Sequence, residues 1–155
     1  GPVDIREVIG RVAEDQRLAI RARNLTIDIA AEDVMIPADS EKLRVVLDNL
    51  VSNAVKFSPP GGVIGVAARF DGDALELDVT DQGPGIPREE RARIFDPFYQ
   101  GGQAGAGPVR GTGIGLSVVK EYVFAHGGSV EVVDSGRGAH LRIRLPLIRA
   151  ESAAS

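Results

Sequence analysis

Residues 43–57 read Leu43-Arg44-Val45-Val46-Leu47-Asp48-Asn49-Leu50-Val51-Ser52-Asn53-Ala54-Val55-Lys56-Phe57. At 100° per residue, Leu43, Val46, Leu47, Leu50, Val51 and Ala54 share one arc, the core face of an amphipathic helix. Asp39 stands ahead of it as N-cap, and Pro59-Pro60-Gly61-Gly62 ends it near Phe57. Asn49, Asn53 and Lys56 fall on a neighbouring arc at i, i+4 and i+7, while Asp48 points about 100° or more away from them.

Outward from this helix the pattern changes period. Val63–Phe70 and Ala74–Thr80 alternate as strands and are joined at Asp71-Gly72, a hairpin signal. Upstream, Ile5, Val8, Ile9, Val12, Ala19 and Ile20 follow a helical period behind Asp4 as N-cap. Residues 25–29 alternate as a strand, and 34–36 read as another that Pro37 stops. Downstream lie a short helix near 88–92, a helix near 113–125 and strands near 129–133 and 139–145. Hairpin-linked strands mixed irregularly with helices predict an α+β fold: a two-layer sandwich whose mixed, mainly antiparallel sheet is covered on one face by helices. Gly1-Pro2 reads as the remnant of a cleaved expression tag outside the fold, 3–148 as one domain and 149–155 as a flexible tail.

The 155 residues suit one domain, and 43% hydrophobic with 26% charged residues is a globular composition. No apolar run approaches the roughly 18 residues of a membrane span and no signal peptide opens the chain, so a soluble domain is expected. A net charge of -4 speaks against a nucleic-acid binder. Zero cysteines and two separated histidines exclude a disulfide framework, a thiol nucleophile and a Cys/His zinc site.

Three groups of residues carry chemistry. Two amides and an ammonium aligned at Asn49, Asn53 and Lys56 suit a metal-bound polyphosphate, since amide oxygens enter octahedral Mg²⁺ shells and lysine offers phosphate a point charge. A solvated helix face is the alternative. Asp81-Gln82-Gly83-Pro84-Gly85 follows a strand directly, which places a carboxylate where it accepts a hydrogen bond from an exocyclic amine such as adenine N6. A capped turn is the alternative there. Gly111-Thr112-Gly113-Ile114-Gly115-Leu116 opens a helix, where unpaired N–H groups and the helix dipole favour an anion. Leu116 breaks the dinucleotide pattern G-x-G-x-x-G, and no G-x-x-x-x-G-K-[ST] occurs, so neither a Rossmann fingerprint nor a P-loop is present. Residues 99–110, rich in glycine and without periodicity, have the length of a functional loop.

In this order the residues resemble one family. Asn49 to Phe57 is similar to the N box, Asp81 to Gly85 to the G1 box, Phe95-Asp96-Pro97-Phe98 to the F box, and Gly111 to Leu116 to the G2 box of the ATP-binding catalytic domain of bacterial sensor histidine kinases. The wider group holds gyrase, mismatch-repair ATPases and a class of heat-shock chaperone. The resemblance runs from Asp4 to Pro146 and implies the Bergerat ATP-binding fold. It implies ATP and Mg²⁺ as cofactors: Asp81 for the adenine amine, Gly83, Gly85 and Ile86 around it, and Asn53 as principal metal ligand with Asn49 second. It also implies Lys56 at phosphate, Phe57 near the nucleotide, and Gly111, Thr112, Gly113, Gly115 and Leu116 at the phosphates, under a lid at 99–110. Arg110 at the lid's end is a candidate for neutralising the transferring phosphoryl group, or a solvated loop cation.

Hydrolysing relatives carry glutamate where Asn49 stands; an amide is no general base for water, which favours a kinase over an ATPase. The resemblance further implies a phosphoacceptor histidine on a dimerisation hairpin, a downstream response regulator, a homodimeric parent anchored in the inner membrane with this domain cytoplasmic, and no nucleic acid. Neither His126 nor His140 has the H-[ED]-x-x-x-P context, so the hairpin is expected before residue 3. The chain alone is then expected to bind Mg-ATP as a monomer without phosphorylating itself. An anti-sigma-factor-type serine kinase of the same fold and a catalytically silent nucleotide-binding module are the alternatives. One departure stands out: Ala139 replaces the threonine of the usual G-T-x-F and removes a hydroxyl from the expected adenine-site water network.

Overall fold

The computed structural model describes residues 2–33, 35–96, 115–134 and 136–146. Asp4 caps the first helix, α1 (Ile5–Asp15), through the Arg6 N–H, and buries Ile5, Val8, Ile9 and Val12. Its continuation is interrupted at Gln16, after which α2 (Arg17–Ala22) buries Ile20. The single amphipathic helix expected there is therefore two. The side chain of Gln16 donates to Asp48 Oδ1 at 2.9 Å, tying the break to the central helix.

That central helix, α3 (Ser40–Phe57), starts where the sequence places it: Asp39 accepts from the N–H groups of Glu41 and Lys42. It buries Leu43, Val46, Leu47, Leu50, Val51, Ala54 and Val55, the arc expected from periodicity with Val55 added. Helix α4 (Gly115–Ala125) packs against it through Val119 and Val123. The two helices run antiparallel. Gly115 at the start of α4 lies against Asn49, and the Tyr122 hydroxyl, one helical stretch later, is pushed up by burial and then by the Asp39 carboxylate. Beyond α4, Gly127 (φ 69°) and Gly128 return N–H bonds to Phe124 and Val123, and His126 Nδ1 lies 2.9 Å from the Tyr122 carbonyl, so His126 sits in a helix cap.

Helices cover one face of a five-stranded sheet ordered β2-β4-β5-β7-β6, formed by β2 (Thr26–Ala31), β4 (Val63–Phe70), β5 (Ala74–Thr80), β6 (Ser129–Val132) and β7 (His140–Pro146). Only β2·β4 is parallel, because α3 lies between them in the chain; the other three pairings are antiparallel. Period-two alternation turns Ile64, Val66 and Ala68, then Leu75, Leu77 and Val79, then Leu141, Ile143 and Leu145 into the core. The alternate residues of β4, β5 and β7 form cross-strand ion pairs and a histidine–aspartate hydrogen bond on the uncovered face. Arg69 meets Glu76 at 2.9 Å, while Asp78 meets Arg142 at 2.8 Å and His140 at 2.6 Å.

Several boundaries differ from the sequence reading: β2 runs over Thr26–Ala31 and not 25–29, β3 (Met35–Pro37) includes the Pro37 expected to stop it, and β6 ends at Val132. Pro2 belongs to β1 (Pro2–Asp4), which pairs with β3 in register Pro2↔Pro37. Proline closes this short ribbon at its outer end, where a missing N–H costs no central rung. Its neighbours Val3 and Ile36 enter the core. The expected helix near 88–92 is one 3₁₀ turn, Arg88–Glu90. Finally, β7 continues through Pro146, opposite Ala74.

Candidate nucleotide site

The C-terminal half of α3 is the floor against which two sequence-distant segments close. Phe57, its last residue, presents a carbonyl to Gly83; a Cβ at 83 would overlap that oxygen, so only glycine lets the Asp81–Gly85 loop lie against the helix end. At the other side, a Cβ on Gly115 would lie 2.8 Å from Asn49 Oδ1, which brings the start of α4 onto the amide stripe. The residues of three separate motifs thus converge on one helix.

Within the stripe the three side chains are all half-buried and differ in engagement. Asn49 Nδ2 donates to the Val45 carbonyl at 2.9 Å, which leaves its oxygen facing Gly115. Neither Asn53 nor Lys56 has a side-chain hydrogen bond or ion pair among the described residues. Asp48 is turned away and bonded to Gln16, as the helical arithmetic implies.

Asp81 follows β5 and is 8% exposed. Its main-chain N–H donates to the Ala139 carbonyl at 3.0 Å, one rung beyond the β5·β7 ladder. Oδ1 accepts from Gly83 N–H at 2.8 Å and from Ala139 N–H at 3.2 Å. Oδ2 has no hydrogen-bond partner among the described residues. Burial pushes this carboxyl above the ordinary aspartate value, and the two N–H groups partly oppose the shift. A buried carboxylate with one oxygen saturated and the other open is built to accept one more donor.

The rest of the loop is fastened from outside. Gln82 Oε1 accepts from Val63 N–H at 2.9 Å, and Arg91 joins the Ile86 carbonyl at 3.3 Å to the Asp134 carboxylate. That ion pair, chiefly through Arg91, holds the Asp134 carboxyl below its usual range. Ile86 and Leu116 are partly buried against the core, and Phe95 of the F-box segment is buried in it. Arg110, Gly111, Thr112, Gly113, Pro97, Phe98 and the loop 99–110 lie outside the described residues.

No group of three or more His, Cys, Asp or Glu able to hold a metal occurs among the described residues. The amide oxygen of Asn53 would serve as a single hard ligand to Mg²⁺. Sequence reasoning did not single out Arg91, Asp134 or Gly138; their partners stand 43 or more residues away, or are backbone atoms that carry no sequence signature.

A helix-covered mixed sheet with these loops gathered on α3 is the architecture that the boxes imply. The chain belongs to the histidine kinase-, DNA gyrase B- and HSP90-like ATPase family, whose profile matches residues 38–149. Within it, the chain is 41% identical over 138 residues to the signal transduction histidine-protein kinase/phosphatase MprB of Mycolicibacterium paratuberculosis, covering 88% of this chain and 26% of that protein. It thus spans about a quarter of the length of the curated relatives it matches. The structure of a mycobacterial sensor histidine kinase MprB superimposes with a TM-score of 0.83 at 35% identity, covering 96% of this chain and 99% of that one. Full-length ShkA, solved in complex with AMPPNP, superimposes with a TM-score of 0.82 at 33% identity, over 97% of this chain and 31% of ShkA. Among the described residues no helix is long and apolar enough to cross a membrane.

Proposed function

We propose that this chain is the catalytic domain of a two-component sensor histidine kinase. It binds Mg-ATP in the cleft and donates the γ-phosphoryl group to a histidine on a dimerisation hairpin outside this chain. The observation that supports the reading is the convergence on α3: the Asp81–Gly85 loop abuts the helix at Phe57 and the start of α4 abuts it at Asn49, and Asn53 and Lys56 stand along the helix between those two contacts. Asp81 Oδ2 accepts the adenine N6–H, with Gly83, Gly85 and Ile86 forming the wall of that pocket. Asn53 is the principal Mg²⁺ ligand and Asn49 a second polar contact, Lys56 meets phosphate, and Phe57 packs near the nucleotide. Gly111, Thr112, Gly113, Gly115 and Leu116 lead phosphate oxygens to the α4 N-terminus, with 99–110 as lid and Arg110 at the transferring group.

Magnesium, when bound, neutralises charge on the phosphate oxygens. The protein side holds the base and the phosphates so that the γ-phosphorus faces the incoming histidine nitrogen. The bond from γ-phosphorus to the bridging oxygen breaks, a phosphorus–nitrogen bond forms and ADP leaves. Asn49 is no base for water and Asp48 is turned away and engaged with Gln16, so neither residue activates a water for hydrolysis. The similarity to named histidine kinases supports this reading over a serine kinase of the same fold. In the parent protein the hairpin supplies the dimer, a response regulator receives the phosphoryl group, and this domain is cytoplasmic beside a membrane anchor; nucleic acid is no partner.

The test supplies [γ-³²P]ATP and Mg²⁺ to this chain with a separately produced hairpin carrying the histidine. Acid-labile label on the hairpin, and none on this chain alone, is expected. Nucleotide binding with no transfer to any cognate hairpin would reduce the chain to a silent binding module, and alkali-labile phosphoserine on a partner would replace the histidine reading.

A further inference from the structure

The turn that leads into β7 packs on Asp81 more closely than any side chain would allow. Gly138 has φ 71°, and a Cβ there would overlap the Asp81 carbonyl oxygen and lie 3.0 Å from Gln82 Cα. The approach is reciprocal: a Cβ on Gly85 (φ 83°) would lie 3.1 Å from the Gly138 carbonyl oxygen. Two glycines on two loops therefore interlock backbone to backbone, and Arg91 bridges the same loops through Ile86 and Asp134. Two hydrogen bonds join Asp81 and Ala139 at this contact, main chain to main chain from Asp81 N–H to the Ala139 carbonyl and, onto the side chain, from Ala139 N–H to Asp81 Oδ1.

We propose that Gly138 is a positioning residue for base recognition: its missing Cβ brings the Ala139 N–H onto Oδ1, which fixes the carboxylate rotamer and leaves Oδ2 as the oxygen open to the base. The inference rests on the adenine role given to Asp81 above. It also answers the departure at Ala139. The residue that lacks the threonine hydroxyl still acts on the aspartate through its backbone, so the side chain at 139 is dispensable for holding the carboxylate while the geometry at 138 is not. Gly138 touches neither base nor phosphate in this account; it acts through Asp81.

The test compares Gly138→Ala, an amide-to-ester replacement at Ala139 that removes the N–H donor while keeping the side chain, and Asp81→Asn in this chain. Affinities for Mg-ATP, Mg-GTP and Mg-tripolyphosphate are measured by calorimetry, with thermal unfolding to establish folding. Loss of a hydrogen bond to a charged group predicts an ATP-over-GTP preference reduced about tenfold or more in the first two variants, with tripolyphosphate affinity unchanged. The ester decides the matter if Gly138→Ala does not fold. Equal losses for ATP and tripolyphosphate would make the contact merely structural and overturn the proposal. A wild-type preference in the ester, with that of Asp81→Asn collapsed, would overturn it while leaving the adenine reading intact. A wild-type preference in Asp81→Asn would remove the adenine reading and this inference together.

Discussion

Asp81→Asn tests the base pocket in a way that the local geometry makes directional. Two backbone N–H groups, from Gly83 and Ala139, demand an oxygen at the Oδ1 position. An asparagine satisfies them only with its carbonyl there, so its NH₂ takes the place of Oδ2. The open side of the pocket then changes from acceptor to donor. Adenine N6–H loses a charge-assisted bond, about 1.5–3 kcal/mol, and guanine O6 gains a neutral one, about 0.5–1.5 kcal/mol. The ATP/GTP comparison should therefore move by about 2–4.5 kcal/mol, on the order of 30- to 2000-fold. Titration calorimetry with both nucleotides and saturating Mg²⁺ reads this ratio directly. A uniform weakening of both nucleotides with the ratio preserved would refute the pinned-carboxylate argument, because only a displaced loop treats the two bases alike.

The same substitution has a pH signature. Burial raises the Asp81 carboxyl in the fold, so the native state holds its proton to higher pH than the unfolded chain, and stability falls as pH rises from the ordinary value of about 4 through the raised one. Urea unfolding from pH 4 to 7 should show Asp81→Asn gaining on the wild type as pH rises; a constant gap would contradict the desolvated carboxylate. Asn53→Ala should weaken ATP binding at least about tenfold with Mg²⁺ and little without it, as loss of one ligand to a charged centre requires; equal loss in EDTA would remove the metal role. Gly115→Ala, at the first residue of α4, should displace the Asn49 side chain and weaken nucleotide binding while changing stability by no more than about 0.5 kcal/mol, a split visible when melting and titration are compared. Leu47→Ala, at a fully buried position on α3, should cost about 2–5 kcal/mol in chemical denaturation; a loss below about 1 kcal/mol would mean that the core closes over the cavity.

The elements carrying the proposed phosphate and base contacts were legible because their signals are local. Asp39 caps α3 at the position that its side-chain chemistry indicates, and the 3.6-residue period from Leu43 to Ala54 separates the core arc from the amide stripe. The hairpin of β4 and β5 has the bounds that alternation and Asp71-Gly72 mark, with Asp71 accepting from the Asp73 and Ala74 N–H groups. Element type and helical face follow from neighbours a few residues apart, and such neighbours are written consecutively in the chain.

Contacts between distant backbones are not written that way. Nothing in residues 26–31 indicates a parallel partner at 63–68, and nothing in Pro2 indicates Pro37. Gly83 was legible as a flexible loop residue, but that it must clear the Phe57 carbonyl is a fact of where α3 ends in space. Gly138 shows the division most sharply. By itself it is a turn glycine; only the alignment of β5 with β7 sets it on the Asp81 carbonyl and delivers the Ala139 N–H to the carboxylate. Sequence alone determined the core arc of α3 and the alternation of β4 and β5, because periodicity is intrinsic to the chain. Tertiary structure decided which oxygen of Asp81 is left open, because main-chain donors are common to almost every residue and only packing selects among them.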